Sequence, residues 1–290
     1  MGTRSRLSPA VFTAVLTAVL TATAGLIGML LSSSAGAAPP PVSGVVVFGD
    51  SLSDTGNAGA GRFSNGPVWV EHLAARLGTR LAPAVQGGTN FAVGGARTGG
   101  GPVPSLRAQV DSFLRTRKPD GRALYVVYGG GNDLRAVVEA GDPVPALARA
   151  AEGVGLILAD LARAGAREFL VPNLPDIGRV PEIRRRGPQA VQAATALSMA
   201  YNQALDRVLD MAQRRLPVRI HRLDVWALLE QVAADPQAAG FANITDACVT
   251  TPACRDADRY LFWDSVHPTA AAHARLAEAA YATLVDRDRR

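Results

Sequence analysis

The chain has 290 residues, with 30 Lys and Arg against 25 Asp and Glu, and a formal net charge of +5. This charge is small and evenly spread, so it gives no reason to expect a nucleic-acid partner. The length fits a single domain with a large buried core. There is no internal repeat and no change of composition regime, so we predict one domain over residues 44–290.

Residues 1–37 have the layout of a secretory signal peptide. A long apolar stretch follows Arg4 and Arg6 and gives way to small residues that end in Ala35-Gly36-Ala37. Cleavage after Ala37 removes two arginines and no acids, which lowers the formal charge from +5 to +3. A retained anchor is the alternative, because the stretch is long enough to span a bilayer. We expect a secreted or periplasmic bacterial protein with a proline-rich linker over residues 38–43.

After the linker, short β-type runs alternate with longer helical patterns, which predicts a parallel sheet built from βαβ units. The predicted strands are Gly44–Phe48, Thr89–Val93, Ala123–Tyr128, Glu168–Val171 and Arg219–Asp224. The predicted helices are Val68–Leu77, Leu106–Arg115, Pro145–Ala164, Gln189–Arg214, Val225–Ala233 and Ala270–Leu284. Segments 172–176 and 240–259 are predicted to be loops by composition.

Conspicuous residues follow three of the predicted strands. Ser51 follows the first strand, Gly94-Gly95 the second, and the run Gly129–Asp133 the third. Because the carboxyl ends of parallel strands lie on one edge of a sheet, these residues should meet at one crevice. Asp264 and His267 precede the last helix, whose amino end can reach the same edge.

Serine, histidine and aspartate are the parts of an acyl-transfer triad. A serine hydroxyl needs a base within hydrogen-bond reach, and His267 is the candidate base. Asp264 lies three residues earlier, so one loop can hold both residues and orient the imidazole. Ser51 is the candidate nucleophile because it lies closest to the strand end, and Ser53 is its competitor. Pro268 suits the first position of the last helix.

Acyl transfer also needs hydrogen-bond donors for the oxyanion of the reaction intermediate. The backbone N–H groups of Ser51 and Gly95 and the side-chain amide of Asn132 are suitable donors, since glycine permits close backbone approach. A plain tight turn at Gly94-Gly95 and an Asx turn at Asn132 are the alternative interpretations.

Cys248 and Cys254 are the only cysteines in the chain. In an exported protein a closely spaced pair predicts a local disulfide. Metal binding by the pair is the weaker interpretation, because no further Cys or His stands nearby to complete a site. We expect neither a metal nor a cofactor, and we expect structural roles for His72, His221 and His273.

Four blocks of the chain resemble the GDSL, or SGNH, family of serine esterases and lipases. The likeness is greatest to the branch shared by plant GDSL lipases and the esterase passengers of bacterial autotransporters. The blocks are Gly49–Asn57, Asn90–Ala96, Gly129–Asp133 and Asp264–Thr269. The resemblance implies an α/β fold, a flavodoxin-like three-layer α/β/α sandwich with a mostly parallel five-stranded sheet.

The resemblance also implies roles for individual residues. Ser51 would be the nucleophile, His267 the base and Asp264 its orienting acid, with Ser51, Gly95 and Asn132 as the oxyanion hole. The adjacent Gly94 leaves the glycine register open.

The implied function is a secreted hydrolase that cleaves small-molecule or lipid esters through an acyl-enzyme. A phospholipase or lipid acyltransferase using the same site is the near alternative, and a non-catalytic exported binding protein is the distant one. We expect a monomer. Segment 175–188 carries Arg179 and Arg184–Arg186 and predicts either a transient contact with a membrane surface or a solvated basic loop.

Overall fold

The computed structural model of the protein describes residues 1–2, 41–59, 61–138 and 143–286. Apart from its first two residues, the predicted signal peptide lies outside these ranges, as do positions 38–40 of the predicted linker. Within these ranges, no helix combines the length and the apolar character that a membrane span requires. All the helices and strands described below belong to one compact unit, Pro39–Arg290.

A four-stranded parallel sheet lies at the centre of the fold. Its strands lie side by side in chain order: β1 (Val45–Gly49), β2 (Leu124–Tyr128), β3 (Glu168–Pro172) and β4 (Arg219–Leu223). The register pairs Val45 with Leu124, Leu124 with Glu168, and Glu168 with Arg219. Every residue of β1 and β2 is buried, as expected for parallel strands with both faces covered by helices.

The predicted strand Thr89–Val93 is not a regular strand, so the prediction of five strands is corrected to four. The segment still runs parallel to the outer edge of β1, where the Phe91 N–H donates to the Val47 carbonyl oxygen at 2.8 Å. Asn90 accounts for the irregularity, because its side-chain oxygen accepts from the Ala92 N–H at 3.0 Å. Such local bonds between side chain and backbone compete with a strand ladder.

Helices cover the sheet and complete a three-layer sandwich, so the predicted fold class is confirmed. The eight helices of the described residues are α1 (Trp69–Arg76), α2 (Leu106–Thr116), α3 (Gly131–Val138), α4 (Pro143–Ala164), α5 (Pro181–Arg184), α6 (Pro188–Arg215), α7 (Val225–Ala234) and α8 (Ala270–Val285). Helix α1 packs against α8, while α4 packs against α2, α3 and α6. The six predicted helices are confirmed to within two residues at each end, whereas α3 and the short α5 were not predicted.

Segment 240–259 is more ordered than the loop that its composition predicts. It contains strand β5 (Asn243–Ala247), which pairs in parallel with β6 (Tyr260–Phe262) as a small second sheet. Cys248 and Cys254 form a disulfide directly after β5. This sheet leads the chain into the loop that carries Asp264 and His267.

Gln109 on α2 fixes the end of β1. Its side chain is only 3% exposed and forms a reciprocal pair of hydrogen bonds with Gly49. The Gly49 N–H donates to Gln109 Oε1 at 2.9 Å, and Gln109 Nε2 donates to the Gly49 carbonyl oxygen at 2.9 Å. A Cβ atom at position 49 would lie 2.9 Å from the Tyr128 carbonyl oxygen, so glycine is required there. Ser51 lies two residues after this fixed strand end.

We predict that Gln109→Leu lowers the free energy of unfolding by about 1–3 kcal/mol, because the buried Gly49 N–H loses its acceptor. Urea unfolding followed by circular dichroism measures the change. Gln192→Leu on the exposed face of α6 is the matched control. Equal stability of the two variants would contradict this role for Gln109.

Candidate active site

A tight turn presents Ser51 at the carboxyl end of β1. The Asp50 carbonyl oxygen accepts from the N–H groups of Ser53 and Asp54, both at 3.0 Å. The Asp50 side chain closes the same turn, because its Oδ1 accepts from the Leu52 N–H at 3.0 Å. Ser51 is 9% exposed and lines a pocket.

Ser53, the competing candidate, points into the core. It is 0% exposed, and its hydroxyl oxygen accepts from Trp69 Nε1 at 3.0 Å. Of the two serines, only Ser51 lines the pocket. Ser53 therefore holds the turn in place, and Ser51 is the hydroxyl that a ligand can reach.

The structure brings Ser51, His267 and Asp264 together. His267 Nε2 lies 2.9 Å from Ser51 Oγ, and His267 Nδ1 lies 2.7 Å from Asp264 Oδ2. The other carboxylate oxygen, Asp264 Oδ1, accepts from the N–H groups of Val266 at 2.8 Å and His267 at 2.7 Å. A single carboxylate therefore shapes the loop and orients the imidazole ring.

The electrostatics of Asp264 favour its charged form. Burial acts to raise the pKa of this carboxyl, but the hydrogen bonds from the His267 ring and from two backbone N–H groups outweigh burial. The net effect holds the pKa of Asp264 below its ordinary value. The residue is thus a carboxylate beside the ring nitrogen at neutral pH.

The His267 loop ends differently from the prediction. Helix α8 begins at Ala270, with Thr269 as the N-cap whose side chain accepts from the Ala272 N–H. Pro268 is not the first helical residue, because it forms an antiparallel bridge with Phe262 of β6. The loop is therefore closed by strand pairing on one side and a helix cap on the other.

The structure distinguishes the two adjacent glycines. The Gly94 N–H donates to Asp54 Oδ2 at 2.8 Å, and a Cβ atom at Gly94 would lie 2.3 Å from the Phe63 ring. Phe63 in turn contacts the His267 ring, with 5.2 Å between ring centroids. Gly95 has φ +79°, and its N–H has no acceptor among the described residues. Gly94 is therefore a packing position, and Gly95 carries the available donor.

Asn132 lies in the first turn of α3 and reaches across to the glycine loop. Its Nδ2 donates to the Ala96 carbonyl oxygen at 3.0 Å, which leaves the second amide hydrogen for a ligand. The neighbouring Asp133 Oδ2 accepts from the Thr98 N–H at 2.9 Å. These two bonds tie α3 to the loop that holds Gly95. Nothing in the sequence pattern singled out Asp133 for this role.

The pocket that contains Ser51 and His267 is predominantly apolar, with a volume of about 150 Å³. A dry cavity of about this size holds a molecule such as benzene. Its apolar lining comes from segment 177–183, α7, β6, α8 and the loop before β5, and includes Ile177, Val180, Leu228, Leu229, Val232, Phe241, Leu261 and Phe262. The described residues contain no group of three or more His, Cys, Asp or Glu side chains arranged to hold a metal ion.

Asp50 and His273 are buried titratable residues that also line the pocket. Burial raises the pKa of Asp50 to about 6, although the Leu52 N–H acts in the opposite direction. His273 on α8 is 1% exposed, and neither of its ring nitrogens has a hydrogen-bond partner within the described residues. Burial lowers the pKa of His273 to about 3. We expected a structural role for His273, and no sequence pattern indicated that its ring nitrogens would lack partners.

The chain belongs to the GDSL-like lipase/acylhydrolase family, whose model matches residues 45–280. This match covers most of the chain and confirms the resemblance drawn from the four sequence blocks.

This chain covers different shares of the length of its relatives. An uncharacterized Pseudomonas putida protein from the trpE-trpG intergenic region is 32% identical over 88% of this chain, which spans only 50% of that protein. An Aeromonas hydrophila phosphatidylcholine-sterol acyltransferase is 28% identical over 90% of this chain and 96% of its own length. Axe2, an acetylxylan esterase from Geobacillus stearothermophilus, has a similar solved fold. Its TM-score is 0.52 at 16% identity, over 86% of this chain and 98% of Axe2.

The buried His273 should make the free energy of unfolding depend on pH. Its pKa is about 3 in the folded protein against 6.5 ordinarily, so the unfolded chain binds more protons between these values. Stability is therefore lost as pH falls from about 6.5 towards 3. Between pH 7.5 and pH 5 the loss amounts to about 2 kcal/mol.

We expect His273→Leu to remove this pH-dependent loss of stability. When the pH falls from 7.5 to 5, the free energy of unfolding should therefore decrease by about 2 kcal/mol less in the variant than in the wild type. Urea unfolding at both pH values measures it. The raised pKa of Asp50 has the opposite effect on stability as pH falls. This effect is the same in both proteins, so it cancels when the variant is compared with the wild type. An equal decrease in the free energy of unfolding of the two proteins would contradict the lowered pKa of His273.

Proposed function

We propose that this protein is an exported serine hydrolase that cleaves carboxylic esters through an acyl-enzyme. The observation that carries the proposal is the continuous chain of hydrogen bonds from Asp264 through His267 to Ser51 Oγ. Ser51 attacks the ester carbonyl carbon while His267 Nε2 accepts its proton. The protonated imidazole donates that proton to the leaving alcohol, and a water molecule then releases the acyl group by the same steps.

The oxyanion would form beside three donors from separate elements. These are the backbone N–H of Ser51, the backbone N–H of Gly95 and the side-chain amide of Asn132. None of the described residues accepts from the two backbone groups, which leaves them available. Loss of one such donor typically costs about 2.7–4 kcal/mol of transition-state stabilisation.

The apolar pocket supports an acyl chain longer than acetyl. Ser51 and His267 line the same pocket as the aliphatic side chains of α7 and segment 177–183, so a chain attached to the reacting carbonyl has apolar surface to follow. The similarity to an acetylxylan esterase concerns the fold and does not bear on the substrate. We therefore propose alkyl esters, including lipid esters, as the substrate class.

Export is supported by the signal-peptide pattern of residues 1–37 and by the Cys248–Cys254 disulfide. Disulfides persist in oxidising compartments outside the cytosol. The two features together support a secreted or periplasmic location.

Transfer of the acyl group to an alcohol is the second candidate. It is favoured by the similarity to a protein named as a phosphatidylcholine-sterol acyltransferase over nearly its full length. The same acyl-enzyme serves both reactions, and the acceptor decides between them. Product analysis with and without added alcohol separates hydrolysis from transfer.

Ser51→Ala should lower kcat/KM for p-nitrophenyl hexanoate by at least about 10³-fold, because the acyl-enzyme cannot form. His267→Ala should cause a comparable loss and Asp264→Asn a smaller one. Ser112→Ala on α2, a half-exposed serine outside the site, is the matched control and should keep its turnover. Full activity of Ser51→Ala with an intact circular dichroism spectrum would refute the nucleophile assignment.

The acyl pocket predicts a dependence on chain length. Each buried methylene contributes about 0.8 kcal/mol, so kcat/KM should rise roughly fourfold per methylene from acetate until the pocket is filled. A p-nitrophenyl ester series from acetate to decanoate measures this rise. A maximum at acetate, followed by a steady decline, would show that the apolar pocket does not bind the acyl chain.

A further inference from the structure

Asp54 is a fully buried residue that lies three positions after the proposed nucleophile. A buried carboxylate is costly unless hydrogen bonds replace its water, and four backbone N–H groups supply these bonds. Asp54 Oδ1 accepts from Gly56 at 2.8 Å and Asn57 at 2.7 Å, and Oδ2 accepts from Ala58 at 3.1 Å and Gly94 at 2.8 Å. Three of these donors are local, whereas Gly94 lies 40 positions further along the chain.

The main chain of Asp54 belongs to the turn that presents Ser51. Its N–H donates to the Asp50 carbonyl oxygen at 3.0 Å. The side chain of the same residue holds the Gly94 N–H, and the next N–H along the chain is the proposed oxyanion donor of Gly95. Asp54 therefore connects the turn of the proposed nucleophile with the turn of a proposed oxyanion donor.

Asn57 makes a second connection between the same two segments. Its Nδ2 donates to the carbonyl oxygens of Asn90 and Ala92, both at 2.8 Å. Its Oδ1 accepts from the Val85 N–H at 3.2 Å. These bonds hold the irregular segment that runs beside β1 and leads into the two glycines. We call Asp54 and Asn57 together the Asp54 clamp.

The type of turn decides where the Gly95 N–H points. Residues 93–96 form a β-turn that is closed by a hydrogen bond from the Ala96 N–H to the Val93 carbonyl oxygen at 3.1 Å. Gly95, the third residue, has φ +79°, whereas the φ of Gly94 is not positive, so the turn is type II. In a type I turn the central peptide is reversed, and the Gly95 N–H would point in the opposite direction.

We propose that Asp54, assisted by Asn57, is a positioning residue of the oxyanion hole and holds the Gly95 N–H in place relative to Ser51 Oγ. The inference rests on the proposed ester hydrolysis. Asp54 does not line the pocket that contains Ser51, so it acts through the glycine turn and not on the substrate. Oxyanion donors act over about 2.7–3.1 Å, so a small displacement of this turn weakens the stabilisation of the transition state.

A purely local role of Asp54 is the competing explanation. Its bonds with the N–H groups of residues 56–58 would stabilise the turn after Ser51 without any help from Gly94. On that explanation the effect of Asp54 on catalysis does not depend on Gly95. A double-mutant cycle measures this dependence and therefore discriminates between the two explanations.

Asp54→Asn keeps the shape of the side chain but replaces one acceptor oxygen with an NH2 group. The amide oxygen should stay with the local N–H groups and leave the Gly94 N–H without an acceptor. We expect kcat for p-nitrophenyl hexanoate, expressed per active site titrated to completion with a fluorophosphonate, to fall about 30-fold, with KM unchanged within about twofold.

Asp120→Asn is the matched control for this substitution. Asp120 also accepts a hydrogen bond from a backbone N–H, that of Arg122 at 2.9 Å, but it is exposed and precedes the amino end of β2. The carboxyl ends of the strands carry the site, so this variant should keep the kcat of the wild type.

The cycle adds Asp54→Asn to variants that already lack one oxyanion donor. Gly95→Ala disfavours the positive φ, so the central peptide should reverse and this donor should be lost. In the Gly95→Ala background, Asp54→Asn should lower kcat less than about threefold, whereas in the Asn132→Ala background it should still lower kcat about 30-fold. An equal loss in both backgrounds would show that Asp54 acts on the serine turn alone and would overturn the proposal.

Asn57→Ala provides a second test if Asp54→Asn does not fold. It removes the bonds to Asn90 and Ala92 at a half-buried position. We expect kcat per titrated site to fall about fivefold in the otherwise wild-type enzyme and to remain unchanged in the Gly95→Ala background. Equal losses in these two backgrounds would overturn the role of the Asp54 clamp.

The fluorophosphonate titration separates a failure of this inference from a failure of the proposed function. A wild type that acquires no label and hydrolyses no ester would contradict the proposed ester hydrolysis. A labelled and active wild type, together with an Asp54→Asn variant of full kcat, would overturn only the positioning role of Asp54.

Discussion

The hydrogen bond between His267 Nε2 and Ser51 Oγ joins two residues that are 216 positions apart in the chain. It exists because a parallel sheet places the carboxyl end of β1 beside the loop that precedes α8. On one side, Gln109 fixes the end of β1 and the Asp50 turn aims the serine. On the other side, Asp264 holds both the backbone and the ring of the histidine. The proposed chemistry depends on both sides meeting within 2.9 Å.

Two pockets of different chemical character meet beside the proposed reaction centre. Aliphatic side chains from α7 and segment 177–183 surround one side of the proposed reaction centre, and arginines surround the other. Asn132 belongs to both pockets and marks the place where the ester carbonyl would lie. Apolar burial would then select the acyl chain.

The site could be predicted because its signals are local. Ser51 follows an apolar run, and Asp264 and His267 share one short loop. Because the carboxyl ends of parallel strands lie on one edge of a sheet, this was enough to predict that the three residues lie close together. Helix α3 was not predicted, since glycines at its start favour a turn. The prediction of a strand over Thr89–Val93 was wrong because the Asn90 side chain accepts a hydrogen bond from the Ala92 N–H, which competes with regular hydrogen bonding between strands. The role of Gln109 depends on tertiary contacts that no sequence pattern contains.

The most direct test of this account is covalent labelling with a fluorophosphonate, which reacts with serines activated by a neighbouring base. Tandem mass spectrometry of the digested protein then locates the adduct. We expect a single adduct on Ser51, absent from the His267→Ala variant. An adduct on Ser53, or an active enzyme that acquires no adduct at all, would contradict the pairing of Ser51 with His267.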